Sequence, residues 1–254
     1  MPKVTIASLK EKKTGNRKIT CLTAYDAPIA SLVDAAGIDI VLVGDSVGNA
    51  VLGYENTLPV TLADITHHLK AVRRAVKNAL LVCDMPLSSF SSEETAVRDA
   101  ITLCEAGAEA VKIEGVSHLG VIKQLSGKGI AVMGHLGFTP QSDRSPSVKG
   151  KTGEDSAELM TNAALLENTG VFSIVLELVE RAAAEKLTRS VSVPTIGIGS
   201  GPDCDGQVLV INDVIGLTLG KVPKFAKKYA DIKDIISAAV KRYKEEVENR
   251  SYPA

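Results

Sequence analysis

Ala36-Gly37-Ile38-Asp39-Ile40-Val41-Leu42-Val43-Gly44-Asp45 is the stretch on which the fold turns. It reads as the end of a helix, a glycine, a short apolar run and an acid. Glycine just past a helix supplies the left-handed cap. A brief run of Ile, Val and Leu suits a strand buried on both faces. The same unit returns from Ala106-Gly107 through Val111-Lys112-Ile113-Glu114, and again from Thr169-Gly170 through Ile174-Val175-Leu176-Glu177.

The segments between these units carry helix signals. Thr61-Leu62-Ala63-Asp64 reads as a capping box, followed by Ile65, Leu69, Val72 and Val76 at helical spacing. Ser91-Ser92-Glu93-Glu94 reads as a second box, and Asp155 or Ser156 opens a helix with Leu159, Ala163 and Leu166 on one face. The pattern predicts strands near 19–24, 39–44, 79–84, 109–114, 130–134, 172–177 and 194–198. It predicts helices over 27–36, 62–77, 93–106, 117–127, 156–168, 179–190 and from about Asp234 to Glu248. An eighth strand falls at either Gln207 to Ile211 or Lys224 to Lys228. Strands alternating with helices imply a parallel sheet. A chain of 254 residues matches one closed (β/α)₈ TIM barrel, so a single domain over 1–254 is expected. The open doubly wound rival lacks its glycine-rich fingerprint after the first strand.

Bulk properties narrow the function. Lys and Arg total 29 against 30 Asp and Glu, so the basic excess of a general nucleic-acid or membrane-surface binder is missing. No apolar run reaches the ~20 residues of a membrane span, and Met1 to Lys13 lacks the apolar core of a signal peptide. Cys21, Cys83, Cys104 and Cys204 form no CxxC pair, which fits reduced thiols and a cytoplasmic location.

Catalytic groups of parallel barrels sit at the C-terminal ends of strands. Four strands here end in, or just past, an acid: Asp45, Asp84, Glu114 and Glu177. Gathering that many carboxylates in one mouth is costly without compensating cations, and a hard divalent cation with oxygen ligands would compensate them. Lys112 and Glu114 are two apart on one strand and so share a face; an inward Lys112 can neutralise a substrate carboxylate or developing charge. His135 follows an apolar run and reaches the same mouth, whereas His67, His68 and His118 fall in helices. Ser46 can bond a ligand oxygen or cap a turn. Two further features are a polar loop at 138–155, of lid or binding-loop length, and Gly197-Ile198-Gly199-Ser200-Gly201, which reads as a backbone-approach or anion-binding turn.

Beyond these single residues, a set of stretches occurs in order along nearly the whole chain: Leu22-Thr23-Ala24-Tyr25-Asp26, Leu42 through Gly48, Thr57-Leu58-Pro59-Val60-Thr61, Val111 through Gly115, Gly134-His135-Leu136-Gly137-Phe138-Thr139-Pro140-Gln141-Ser142, Ile196 through Gly199, Asp205-Gly206-Gln207 and Pro223-Lys224-Phe225. Together they resemble the ketopantoate hydroxymethyltransferase family. The resemblance implies a barrel of the phosphoenolpyruvate/pyruvate type and an enzyme of pantothenate biosynthesis. Its Mg²⁺, or Mn²⁺ or Co²⁺ in its place, would be held by Asp45, Asp84 and Glu114. The keto acid 3-methyl-2-oxobutanoate would contact Asp45, Ser46, Asp84 and Lys112, with His135 on the substrate side. Glu177 matches the general base, 5,10-methylenetetrahydrofolate would donate the one-carbon unit, and a homodecamer is implied. The chain departs from the family pattern in a short loop after Ser142, in Asn212 before Asp213 where a His is common, and in the missing Pro after Glu177. The first departure bears on lid closure. A carbon–carbon lyase or mutase of the same superfamily is the rival enzyme, but its Lys-Cys-Gly lid motif is lacking. A barrel retained only for binding or assembly would not need all five of Asp45, Asp84, Lys112, Glu114 and Glu177.

Overall fold

The computed structural model describes residues 2–143 and 145–253. Eight strands close into a barrel in chain order, every neighbouring pair parallel. They are β1 Ile19–Thr23, β2 Ile40–Val43, β3 Leu80–Asp84, β4 Ala110–Glu114, β5 Ala131–Gly137, β6 Ser173–Glu177, β7 Thr195–Ile198 and β8 Gly206–Leu209. The helices are α1 Ile6–Thr14, α2 Ala27–Ala35, α3 Val47–Ala50, α4 Leu62–Ala75, α5 Glu93–Glu105, α6 Leu119–Gly127, α7 Gly153–Thr169, α8 Arg181–Ser190, α9 Ile211–Ile215 and α10 Ile232–Glu248. The TIM-barrel expectation holds. Of the two candidates for the last strand, the first is correct: β8 pairs with β1 from Ile19↔Gly206 to Leu22↔Leu209, and Lys224 to Lys228 is not a strand.

Strand alternation divides the core in two. Val41, Val43, Leu81, Val111, Ile113, Ile174 and Leu176 face outward into the layer of helices. Ile19, Cys21, Ile40, Leu42, Leu80, Val82, Ala110, Met133, Val175, Ile196 and Val208 fill the barrel interior. Leu9 joins that interior cluster from α1, with Val4 and Ile6 packed beside it, so α1 closes the lower end of the barrel. The sequence pattern missed α1 because its few apolar residues are scattered among lysines. Its start is nonetheless marked by a reciprocal cap between Thr5 and Ser8.

Several boundaries differ from expectation, each for a local reason. The Thr61–Asp64 capping box forms as read. At α5 the cap is Ser92, which accepts from the Thr95 N–H, rather than a box from Ser91 to Glu94. α7 opens at Gly153, earlier than Asp155 or Ser156, because the Thr152 hydroxyl accepts from the Asp155 N–H. β5 runs three residues beyond Gly134, carried by pairing with β6 as far as Gly137↔Glu177. That extension depends on Gly137: its φ is +97°, and a Cβ there would stand 2.1 Å from the Glu177 carbonyl oxygen.

Buried Asp34 ties the end of α2 to the start of β3. Its carboxylate accepts from the backbone N–H groups of Lys77, Asn78 and Ala79 and from Asn78 Nδ2. Burial opposes ionisation, but these donors outweigh it and hold the pKa below the ordinary 3.8. Asp34→Asn is expected to cost about 2 kcal/mol at neutral pH, since bonds to a charged acceptor and the matching of buried donors are lost together. Because the native pKa is depressed, this stabilisation is complete above the ordinary value and is lost as pH falls through the native one. Denaturant unfolding of the two proteins should therefore converge below about pH 4.

Candidate active site

The upper end of the barrel interior is where hydrocarbon gives way to charge. On β3 the inward positions run Leu80, Val82, Asp84; on β4 they run Ala110, Lys112, Glu114; on β5 they include Met133 and His135; on β6, Val175 and Glu177. The strand register sets Asp84 beside Lys112 and Glu114 beside His135. Lys112 and Glu114 share a face, as read from the sequence, and that face is the inward one; each is buried. Asp45 comes from the turn after β2. Gly44 precedes it, and a Cβ on Gly44 would stand 2.8 Å from Ser46 Oγ and 3.3 Å from Asp84 Oδ2. The bare glycine lets Asp84 approach, and Asp84 Oδ2 accepts from the Asp45 N–H at 3.0 Å.

All seven residues singled out from the sequence line one cavity of about 590 Å³: Asp45, Ser46, Asp84, Lys112, Glu114, His135 and Glu177. Lys112 Nζ lies 3.3 Å from Asp84 Oδ1 and 3.4 Å from Glu114 Oε1. His135 Nδ1 is 3.2 Å from Glu114 Oε1, and its Nε2 is 3.4 Å from Glu177 Oε2, too poorly aimed to count as a hydrogen bond. Ser46 caps nothing with its side chain; its Oγ is 2.8 Å from the buried Tyr25 hydroxyl. The other histidines lie outside the cavity. His68 Nδ1 bonds the Tyr25 carbonyl, and His118 stacks on Phe90. The Gly197–Gly201 turn is used internally: Ser200 Oγ accepts from the Val179 N–H and donates to the Leu176 carbonyl.

Like charges in this dry setting perturb one another. Burial first, and then Asp84, pushes Asp45 up to about 7. Burial likewise raises Asp84, against the pull of Lys112. For Glu114 burial is outweighed by Lys112 and His135, which bring it down to about 2. His135 is raised to about 9, as contacts with Glu114 and Glu177 overcome burial and Lys112. Burial disfavours the Lys112 ammonium, but Asp84, Glu114 and Asp45 prevail and raise its pKa.

The donor set suits a hard cation. Asp84 Oδ1 is buried and accepts no hydrogen bond; Lys112 Nζ at 3.3 Å meets it as an ion pair alone, which leaves it able to take a second cation or solvent. Asp45 resists ionisation because it is buried and lies beside Asp84. Among the described residues no three Asp, Glu, His or Cys side chains form a preassembled metal cluster. Mg²⁺ does not require one, since it commonly takes one or two carboxylates and completes its shell with water and substrate oxygens.

One contributor to the site escaped the sequence reading. Gln141, in the loop after β5, sends its Nε2 to Asp45 Oδ2 at 2.9 Å and its backbone N–H to Glu114 Oε2 at 3.1 Å. Its signals were its position, a polar residue shortly after the strand that carries His135, and its place in the stretch from Gly134 to Ser142 that carries the family resemblance.

Comparison with known proteins separates fold from family. Among solved structures, phosphonopyruvate hydrolase in complex with oxalate and Mg²⁺ superposes with a TM-score of 0.66 at 12% identity, covering 97% of this chain and 88% of that one. A 2,3-dimethylmalate lyase superposes with a TM-score of 0.60 at 14% identity, covering 98% and 89%. Likeness at that level speaks for the barrel alone. The 3-methyl-2-oxobutanoate hydroxymethyltransferase of Syntrophomonas wolfei subsp. wolfei is 50% identical, covering 100% of this chain and 94% of the relative. That of Ignicoccus hospitalis is 50% identical, covering 100% and 98%. The ketopantoate hydroxymethyltransferase family model matches residues 3–254. With the full chain aligned at half identity and the acids brought to one mouth, the chain belongs to the ketopantoate hydroxymethyltransferase family, a family of enzymes.

Proposed function

We propose that this chain transfers a hydroxymethyl group from 5,10-methylenetetrahydrofolate to 3-methyl-2-oxobutanoate, giving 2-dehydropantoate for pantothenate synthesis. The observation that carries this reading is the single cavity in which Glu177 faces Asp45 and Asp84 across Lys112, Glu114 and His135. It is a carboxylate base set opposite a site able to stabilise negative charge. With all four acids ionised, Lys112 and a protonated His135 would leave a formal −2, which a divalent cation would neutralise.

Asp45 and Asp84, with Glu114, would hold the cation. Bound there, Mg²⁺ would polarise the keto oxygen and stabilise charge as the neighbouring carbon loses its proton. The keto acid would lie over Asp45, Ser46, Asp84 and Lys112. Lys112 and His135 offer positive charge to its carboxylate, and Ser46, backed by Tyr25, offers a hydroxyl. Glu177 is the least buried of the four acids at 20% exposure and removes the C3 proton. His135 Nε2, 3.4 Å from Glu177 Oε2, attracts the carboxylate by charge from inside the cavity without a formed hydrogen bond. The resulting carbanion equivalent would bond to the methylene carbon of the donor, whose two C–N bonds to the folate break in turn; water would supply the hydroxyl group, and its other proton, with the one taken up by Glu177, would pass to the two freed nitrogens, so that tetrahydrofolate leaves. The keto acid alone is far smaller than about 590 Å³, so space remains above it for a second substrate.

A homodecamer is proposed for the assembled state. None of the 17 residues of α10 is buried, and Ile235, Ile236, Val240, Tyr243 and Val247 are exposed along it. An amphipathic helix with an open apolar stripe is suited to covering by another copy.

Proton–deuterium exchange at C3 of 3-methyl-2-oxobutanoate, followed by NMR, should require a divalent cation and cease on chelation. Exchange with pyruvate instead would favour the lyase reading. Glu177→Gln should lower exchange by at least about 100-fold, the scale of a lost general base, while leaving keto-acid affinity within a few-fold; full turnover by this variant would refute the base assignment. In sedimentation equilibrium the unaltered chain should be a multiple of its own mass, and the double variant Ile236→Asp, Val240→Asp should shift to smaller species.

A further inference from the structure

The polar loop between β5 and α7 reaches the acid cluster through one side chain. Gln141 Nε2 donates to Asp45 Oδ2 at 2.9 Å and to the Met85 carbonyl at 3.0 Å, while its backbone N–H donates to Glu114 Oε2 at 3.1 Å. One residue thereby joins the chain just past β2, β3 and β4. The two acceptors use both hydrogens of the amide, which fixes its orientation; turned over, its oxygen would face a carboxylate and a carbonyl. A neutral donor is well matched to this position. It satisfies one oxygen of Asp45 without adding a cation that would compete for the site, and without adding a fifth carboxylate to a cluster already short of positive charge.

The far end of the same loop is tied to the base side. Asp143 accepts from the Thr139 N–H and from Lys149 Nζ. The Lys149 N–H donates to the Leu178 carbonyl, and its own carbonyl accepts from the Glu180 N–H. The backbone next to Glu177 and the carboxylates of Asp45 and Glu114 are therefore anchored to one loop.

We propose that Gln141 is a positioning residue, whose amide orients the Asp45 carboxylate and whose backbone N–H orients that of Glu114 for binding a divalent cation. The inference rests on reading the acid cluster as a cation site. A loop residue that only filled space would leave metal affinity to the acids themselves.

Mn²⁺ binding to the full chain, titrated by electron paramagnetic resonance without substrates, tests it. Gln141→Met keeps nearly the same bulk and removes the donors, and Gln141→Ala removes both. Each should weaken Mn²⁺ binding by about 10-fold or more, the usual loss when a partner of a metal ligand is removed. Each should also raise the apparent KM for the keto acid in the exchange assay more than it lowers kcat, and leave the metal-free protein folded, with a thermal midpoint lowered by no more than about 4 °C, the shift that about 1 kcal/mol produces in a chain of this size. Ser142→Ala, at the exposed neighbouring position, should alter none of these. Unaltered Mn²⁺ affinity in both Gln141 variants would overturn the proposal, as would a fall in the metal-free midpoint with Mn²⁺ affinity intact. Failure of the unaltered protein to bind Mn²⁺ would overturn the cation-site reading and this inference with it.

Discussion

Four carboxylates share the mouth of a barrel whose interior below them is hydrocarbon, and their mutual repulsion is the constraint around which the rest is arranged. Three of them are buried, and two show the strain directly, with Asp45 raised to about 7 and Asp84 raised beside it. What keeps the cluster together is a set of cationic and donor groups at fixed places. Lys112 lies between Asp84 and Glu114, His135 between Glu114 and Glu177, the Asp45 N–H meets Asp84 Oδ2, and the Gln141 amide meets Asp45 Oδ2. Removing any one of these would leave a buried charge less compensated than before.

Backbone geometry makes that crowding feasible. Lys112 and Glu114 meet because alternation along β4 puts them on one face, and Asp84 meets Lys112 because the β3–β4 register sets them side by side. Two glycines make the room. Gly44 leaves room for the Asp84 carboxylate, and Gly137, with its positive φ, lets β5 run against the Glu177 carbonyl. The hydrophobic layers beneath, sealed below by Leu9, give these polar groups a rigid floor.

The barrel itself says little about the reaction. Structures that superpose well on this chain carry names as different as hydrolase and lyase at 12–14% identity, as expected when a common fold hosts many chemistries. The family is shown by the match of the whole chain at half identity. Any account of the reaction must then rest on the particular side chains in the mouth.

The amino-acid sequence by itself determined the alternation of buried strands with helices, the closed barrel and the acids at the strand ends. Periodicity, glycine caps and strand-end position are local properties written in consecutive residues, so Asp45, Asp84, Glu114, Glu177 and the inward Lys112 were legible from them. The tertiary structure alone decided which of two segments became β8, because only pairing with Ile19 to Leu22 distinguishes them. It placed α1 under the barrel through Leu9, an apolar residue without a periodic stripe around it. It also brought Gln141 to Asp45 across 96 positions of chain and set His135 between Glu114 and Glu177. Those contacts depend on closure of the whole barrel, since residues distant in sequence become neighbours only once every strand has found its register.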